Sequence, residues 1–390
     1  MTITRNNNLA PLMEEKKEEF IAFWLELVKA ESPSARKECV DRVGQLVKTF
    51  AEKLGFSHRT VPFDKAGDGV VIEYNNGSHK EPILFAAHMD TVFAVGEFGE
   101  DPIRIEDGIL YGPGVLDCKA GIVSGLLALY TLKTIGYADR PVKLVLSPDE
   151  EVSNLYSGQE GRDFLLNEAK GAFCAFSLEC GYPDKFTTYR FGVARYEMSI
   201  RGVPAHAGVF YDKGRSAIKE AAHKIIDIEG QSEIERLTFN CGTIEGGTVT
   251  NVVPEHCRFS IDVRYKDNAA FEQAEAILQK AEQTVHVEDT EGILDRFSFR
   301  PSTLFTEGTQ TLADLYASCH KAVCGKEIAQ TSSRGGSDAA NISQAGIPVI
   351  DSIGPIGGKF HTHDEWADLA TLVPRTDILL HTLLNLPESF

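Results

Sequence analysis

The sequence predicts an α/β fold: a mixed, largely parallel sheet flanked by helices, interrupted by an inserted ferredoxin-like domain. Three observations carry this. Helix-period and strand-period segments alternate from Phe20 to Leu178, as in units that build a parallel sheet. Between 192 and 300 the pattern changes to half-wet strands and two amphipathic helices, in the order βαββαβ. After Pro301 helix–strand alternation resumes, so the first domain is discontinuous: 1–191 with 301–390.

Phe20, Trp24, Leu27 and Val28 share one face of a first helix. Val40, Val43, Val47, Phe50 and Leu54 do so in a second, which Gly55 can stop. Strands follow at 69–74 and 83–88, separated by the turn Asn75-Asn76-Gly77. A mostly apolar helix covers 119–135, and short buried strands cover 142–147 and 172–178. In the insert, Tyr196, Met198 and Ile200 alternate with polar residues. Helix 215–228, strands 237–244 and 252–265, helix 270–285 and strand 296–300 complete it. Helix 310–324, strand 348–352 and helix 375–386 close the chain.

At 390 residues there is room for two domains. A net charge of -18 argues against nucleic acid and anionic membrane as partners. The first twenty residues lack an apolar core of signal-peptide length, and no apolar run is long enough for a membrane helix, so a cytoplasmic protein is expected. None of the eight cysteines forms a C-x-x-C pair, so reduced thiols and no cysteine-held zinc are expected.

Five residues stand where predicted strands or glycine-rich stretches end: His88, Asp117, Glu151, Glu179 and His361. Ligands in open α/β sheets collect beyond the carboxyl ends of strands. Two imidazoles and three carboxylates gathered there would make a two-metal hydrolytic centre. Glu150 is then a spare acid of the kind a general base requires. Asp90, two residues after His88, can hold the other imidazole nitrogen. Taken singly, each has a plain alternative. His88 fits a hydrogen-bonded core histidine, Asp117 a turn residue, and Asp149-Glu150-Glu151 a solvated acidic run. Arg334, between serines and glycines, can clamp a carboxylate, or be an ordinary surface arginine.

Together the stretches HMDTV (88–92), GPGVLDCKAG (112–121), DEE (149–151), SLEC (177–180) and GKFHTHDEW (358–366) resemble a known family, as do VPAHAG (203–208) and GGTVTNVVPEHC (246–257). This is the co-catalytic dizinc family of glutamate carboxypeptidase, aminoacylase, peptidase T, acetylornithine deacetylase and succinyl-diaminopimelate desuccinylase. The resemblance runs from about Glu14 to Leu386 and is nearest to glutamate carboxypeptidase.

The resemblance implies two zinc ions, with cobalt or manganese as substitutes. His88, Glu151, Glu179 and His361 would be terminal ligands, Asp117 the bridge, Glu150 the proton shuttle and Asp90 the support of His88. It implies a cis peptide at Asp117–Cys118. His206 would stabilise the oxyanion, and Asn251 and Arg264 would line the same lid. The insert, 192–300, would be a lid and homodimerisation domain. Glu179 stands where relatives acting as aminopeptidases tend to carry Asp. His363 offers an alternative to His361, and Cys118 and Cys180 depart from the usual pattern, which raises a redox sensitivity. The implied activity is hydrolysis of an amide bond next to a free carboxylate in small peptides or N-acyl amino acids. An N-acyl-amino-acid deacylase on the same scaffold is the alternative. A non-catalytic metal- or peptide-binding relative is the alternative of another class, and it would have no use for Glu150.

Overall fold

The computed structural model describes residues 3–390. The chain divides into two compact units. The first runs up to Arg190 and takes in Thr303–Ser333 and Ser337–Phe390; the second is Phe191–Ser302 with Arg334–Gly336. Periodicity alone assigns 192–300 to the insert. The unit begins one residue earlier, ends two later, and takes in Arg334–Gly336, which the sequence assigns to the first domain.

The first unit is built on a six-stranded sheet. Its order is Ser57–Val61, Gly69–Tyr74, Val142–Ser147, Ile83–His88, Cys174–Ser177, Val349–Ile350. The three pairings from Val142–Ser147 onward are parallel, and the two at the Ser57 edge are antiparallel. Every residue of Ile83–His88 is buried, as suits a central strand covered on both faces. Helix Lys17–Lys29 buries Phe20, Trp24, Leu27 and Val28, and helix Lys37–Lys53 buries Val40, Val43, Val47 and Phe50. Phe23 and Phe50 stack between them with centroids 4.0 Å apart. Helix Lys119–Thr134 is buried almost all round, which is why its sequence shows little polar stripe.

A separate four-stranded sheet of very short strands runs Gly357–Gly358, Trp366–Asp368, Ile109–Tyr111, Arg104–Glu106. Strands of two or three residues carry no readable period, so the sequence does not announce them. The expected strand at 348–352 is likewise only Val349–Ile350. The 57–61 strand, half exposed at the sheet edge, and helix Gly158–Ala169 also escape a reading based on apolar runs.

The second unit is an antiparallel sheet in the order Leu237–Gly246, His256–Tyr265, Gly192–Arg201, Glu291–Arg300. Helices Ala217–Glu229 and Asn268–Gln283 supply the two crossovers. This is the ferredoxin-like arrangement that βαββαβ predicts. Met198, Phe259, Ile261 and Leu278 are among its core residues. Among the described residues no helix is long and apolar enough to cross a membrane.

Candidate metal centre

Strands and loops of the first unit deliver five side chains to one place. His88 ends its parallel strand, and the next parallel strand, Val142–Ser147, runs alongside and leads into Asp149-Glu150-Glu151. Glu179 follows Cys174–Ser177 on the other side of His88. Asp117 precedes helix Lys119–Thr134, and the Asp117–Cys118 peptide is cis. Gly121, in the first turn of that helix, has no room for a side chain: a carbon there would collide with the Leu178 carbonyl. This close approach sets Asp117 against Glu179. His361 has a left-handed backbone, φ 62°, in the loop between Gly357–Gly358 and Trp366–Asp368.

The distances bind the five into one cluster. His88 Nε2 is 3.0 Å from Asp117 Oδ1 and 3.9 Å from Glu179 Oε1. His361 Nε2 is 2.9 Å from Glu151 Oε2 and 3.4 Å from Asp117 Oδ2. Asp117 is thus central, with one oxygen toward each imidazole. His363 is placed elsewhere: its Nε2 meets Glu97 Oε1 at 2.9 Å and its ring lies against Phe93 and Phe98.

The three adjacent acids separate. Asp149 turns back to accept from Tyr156 N, Ser157 N and Ser157 Oγ at 2.7–3.0 Å. Glu151 joins the cluster, and Glu150 lies beside it, almost wholly buried, with its charge acting on Glu151 and Glu179. Asp90 knits the parts together. Its carboxylate accepts from Ser34 Oγ, Glu150 N and Glu151 N, and lies 3.2 Å from His88 Nδ1.

Electrostatics follow from crowding. Burial raises the pKa of Asp117, but hydrogen bonds from His361 and His88 outweigh it and hold the carboxyl far below its usual range. Burial, with repulsion from Asp117, pushes Glu151 up to about 8, and burial pushes Glu179 well above the carboxylate range. Hydrogen bonds to Asp117 and Glu151 raise His361 to about 10. Carboxylates this close and this dry call for a cation to share.

The donor set fits a divalent metal. Among the described residues, His88–Asp117–Glu151, His88–Cys118–Glu179 and Asp117–Glu179–Cys180 each bring donor atoms within 4.8 Å of one another. Two thiols, Cys118 and Cys180, therefore adjoin the centre, as their positions next to Asp117 and Glu179 in the sequence suggest. Burial pushes the pKa values of both well above the usual one.

Sequence reasoning passes over two further features of the first unit. Arg190 Nε lies 2.7 Å from Asp351 Oδ2, and the guanidinium feels Glu179 and Glu150. Glu365 is fully buried and accepts three backbone N–H groups beside Asp117. Glu365 falls inside the stretch GKFHTHDEW, but nothing local marks it as buried.

The remaining site candidates lie in the second unit. His206 is exposed, and its Nδ1 accepts from Gly208 N and Val209 N at 3.2 and 3.1 Å. That leaves the proton on Nε2. The Asn251 carbonyl accepts from Ala207 N at 2.9 Å, so the 203–208 and 246–257 stretches meet. The Arg264 guanidinium grips Asp262 with two bonds and donates to the Arg334 carbonyl at 3.1 Å. The Arg334 side chain is 40% exposed, over the Phe191 ring and 3.6 Å from Glu235.

Comparison with known proteins agrees with this architecture. The chain is 27% identical to carboxypeptidase G2 of Pseudomonas sp. (strain RS-16) over 392 residues, covering 98% of this chain and 92% of that protein. It is 26% identical to succinyl-diaminopimelate desuccinylase of Dechloromonas aromatica (strain RCB), covering 72% and 77%. The fold matches that of an M20 family metallo-carboxypeptidase from Sulfolobus solfataricus, with TM-score 0.76 at 19% identity, over 94% of this chain and 98% of that one. It also matches aminopeptidase PepT of Bacillus cereus ATCC 10987, with TM-score 0.74 at 23% identity, over 94% and 97%. The profile of peptidase family M20/M25/M40 matches residues 84–385, and the chain belongs to that family.

Proposed function

We propose that this chain is a zinc-dependent exopeptidase that cleaves an amide bond next to a free carboxylate, in the manner of a glutamate carboxypeptidase. The observation that carries the reading is a buried acid, Glu150, whose backbone N–H is held by Asp90 and whose charge acts on both Glu151 and Glu179. Membership of a peptidase family, with carboxypeptidase and desuccinylase relatives, supports peptide or acyl-amino-acid hydrolysis.

His88, Glu151, Glu179, His361 and Asp117 would hold two zinc ions, with Asp117 placed between the two imidazoles to serve both; cobalt or manganese would substitute. When bound, the ions acidify water and polarise the scissile carbonyl. The Glu150 carboxylate takes the proton of the attacking water and hands it to the leaving nitrogen. Asp90 holds Nδ1 of His88 and the backbone of Glu150 and Glu151, so base and ligands keep one register. His206 offers its Nε2–H to the developing oxyanion; a Nδ1 that accepts two backbone N–H groups supports that tautomer. Arg334, assisted by Asn251 and Arg264, anchors the substrate carboxylate. The second unit serves as lid and as the pairing surface of a homodimer; the exposed run Val209, Phe210, Tyr211 supports a surface that is covered in use.

The desuccinylase relative favours a second reading, an N-acyl-amino-acid deacylase. Hydrolysis of a dipeptide and N-acyl-amino-acid library by zinc-loaded protein separates the two. Chelation should abolish either activity and zinc should restore it. Full activity in metal-free protein would overturn the metal reading.

A further inference from the structure

The loops carrying Asp117 and His361 are far apart in sequence, yet they leave adjacent strands of the small sheet. Trp366 pairs with Tyr111, so the segment 112–117, which leaves Tyr111, and the segment 359–365, which enters Trp366, meet side by side at that pair. Register alone leaves both loops without internal ladders. One side chain closes the gap. Glu365 Oε1 accepts from Leu116 N at 2.8 Å and Asp117 N at 3.0 Å, and Oε2 accepts from Gly114 N at 3.0 Å. Its own carbonyl accepts from Gly112 N at 3.4 Å, and its own N–H donates to Thr362 O at 3.1 Å, closing the turn that holds His361. Trp24 adds a strut from the helix side, donating Nε1–H to Val115 O at 2.8 Å.

Glu365 is completely buried and, among the described residues, joins none of the three donor groups. A buried carboxylate must be paired or hydrogen-bonded, and this one accepts from three N–H groups of the backbone that presents Asp117, with the buried Lys119 charge acting on it as well. We infer that Glu365 is a positioning residue: it clamps the Asp117 loop to the His361 loop, so that the two ligands on either side of the centre are set as one unit before metal arrives. Partners of this kind tune metal affinity without touching the ion. The inference rests on reading Asp117 and His361 as ligands. It adds that their mutual placement is built by protein alone.

The test uses the full chain, metal-free, as wild type and as Glu365→Gln. The glutamine keeps the shape but replaces one acceptor oxygen with an NH2 group that faces backbone N–H donors. Each protein is titrated with Co2+, while circular dichroism follows its metal-free thermal midpoint. The expected result is a variant folded at the titration temperature that binds Co2+ roughly 10–100-fold more weakly, with an altered visible spectrum of the bound ion. Wild-type affinity and spectrum in folded Glu365→Gln overturn the clamp. A wild-type protein that binds no cobalt instead overturns the ligand reading beneath it. Should the variant not fold, hydrogen exchange on metal-free wild type decides. Slow exchange at Gly114, Leu116 and Asp117, little changed by metal, supports a preset clamp. Fast exchange that only metal slows overturns it.

Discussion

Asp90 and His88 meet through one ring nitrogen: His88 Nδ1 lies 3.1 Å from the Asp90 carbonyl and 3.2 Å from its carboxylate. Nε2 is therefore the nitrogen turned to Asp117. The same carboxylate holds the amides of Glu150 and Glu151. Asp90→Ala should lower metal affinity roughly 10–100-fold, the usual effect of removing a ligand's orienting partner. Chelator competition measures it, and unchanged affinity would show that His88 is oriented without Asp90.

Glu150→Gln keeps the shape of the side chain and loses its basicity. Turnover should fall at least ~100-fold, the scale of general acid–base catalysis, with metal content near that of wild type. A variant that loses metal in atomic-absorption analysis would make Glu150 a ligand instead.

For His206→Ala, the loss should fall on kcat rather than KM, because an oxyanion donor acts chiefly in the transition state. The residue is exposed, so the fold should tolerate the change. Wild-type kcat in the variant would leave His206 an ordinary loop residue.

Arg334→Ala should reduce kcat/KM about ten- to a hundredfold on substrates with a free carboxylate, as loss of a charge-assisted contact does. On the matching amides the loss should shrink. Equal wild-type rates on acids and amides would show that no carboxylate is read.

Metal binding should be linked to pH. In the metal-free chain His361, raised to about 10, and Glu151, raised to about 8, together retain protons at neutral pH. An entering ion must displace them, so affinity should rise with pH and calorimetry in buffers of differing ionisation enthalpy should reveal proton release. The sign for stability is opposite. Both folded pKa values lie above the ordinary ones. Their stabilising contributions are therefore complete at low pH, below 4.5 for Glu151 and 6.5 for His361. They are lost as pH rises through about 8 and about 10. The metal-free thermal midpoint should fall across that range more steeply than in the loaded protein. A flat profile would remove this cluster from the pH response.

Much of the fold is legible from periodicity because burial leaves its mark on single segments. The strands 69–74, 83–88 and 142–147 and the order βαββαβ of the insert follow from which positions are apolar. Candidate ligands are legible for a related reason: polar residues that interrupt apolar runs at strand ends have to be there for something. What periodicity lacks is any record of which distant segment lies alongside. Only tertiary structure sends Asp149 back to Ser157 while Glu151 goes to the cluster, since three consecutive carboxylates look alike until a turn divides them. His361 and His363 are likewise equivalent as sequence; the left-handed backbone at His361 and the partner Glu97 at His363 tell them apart. Glu365 is the extreme case. As sequence it is one acid in a polar loop; in the fold, strand pairing between Trp366 and Tyr111 brings the amides of Gly114, Leu116 and Asp117 to it, and its buried carboxylate accepts from all three. Local pattern decides what is buried, and long-range pairing decides what each buried polar group must satisfy.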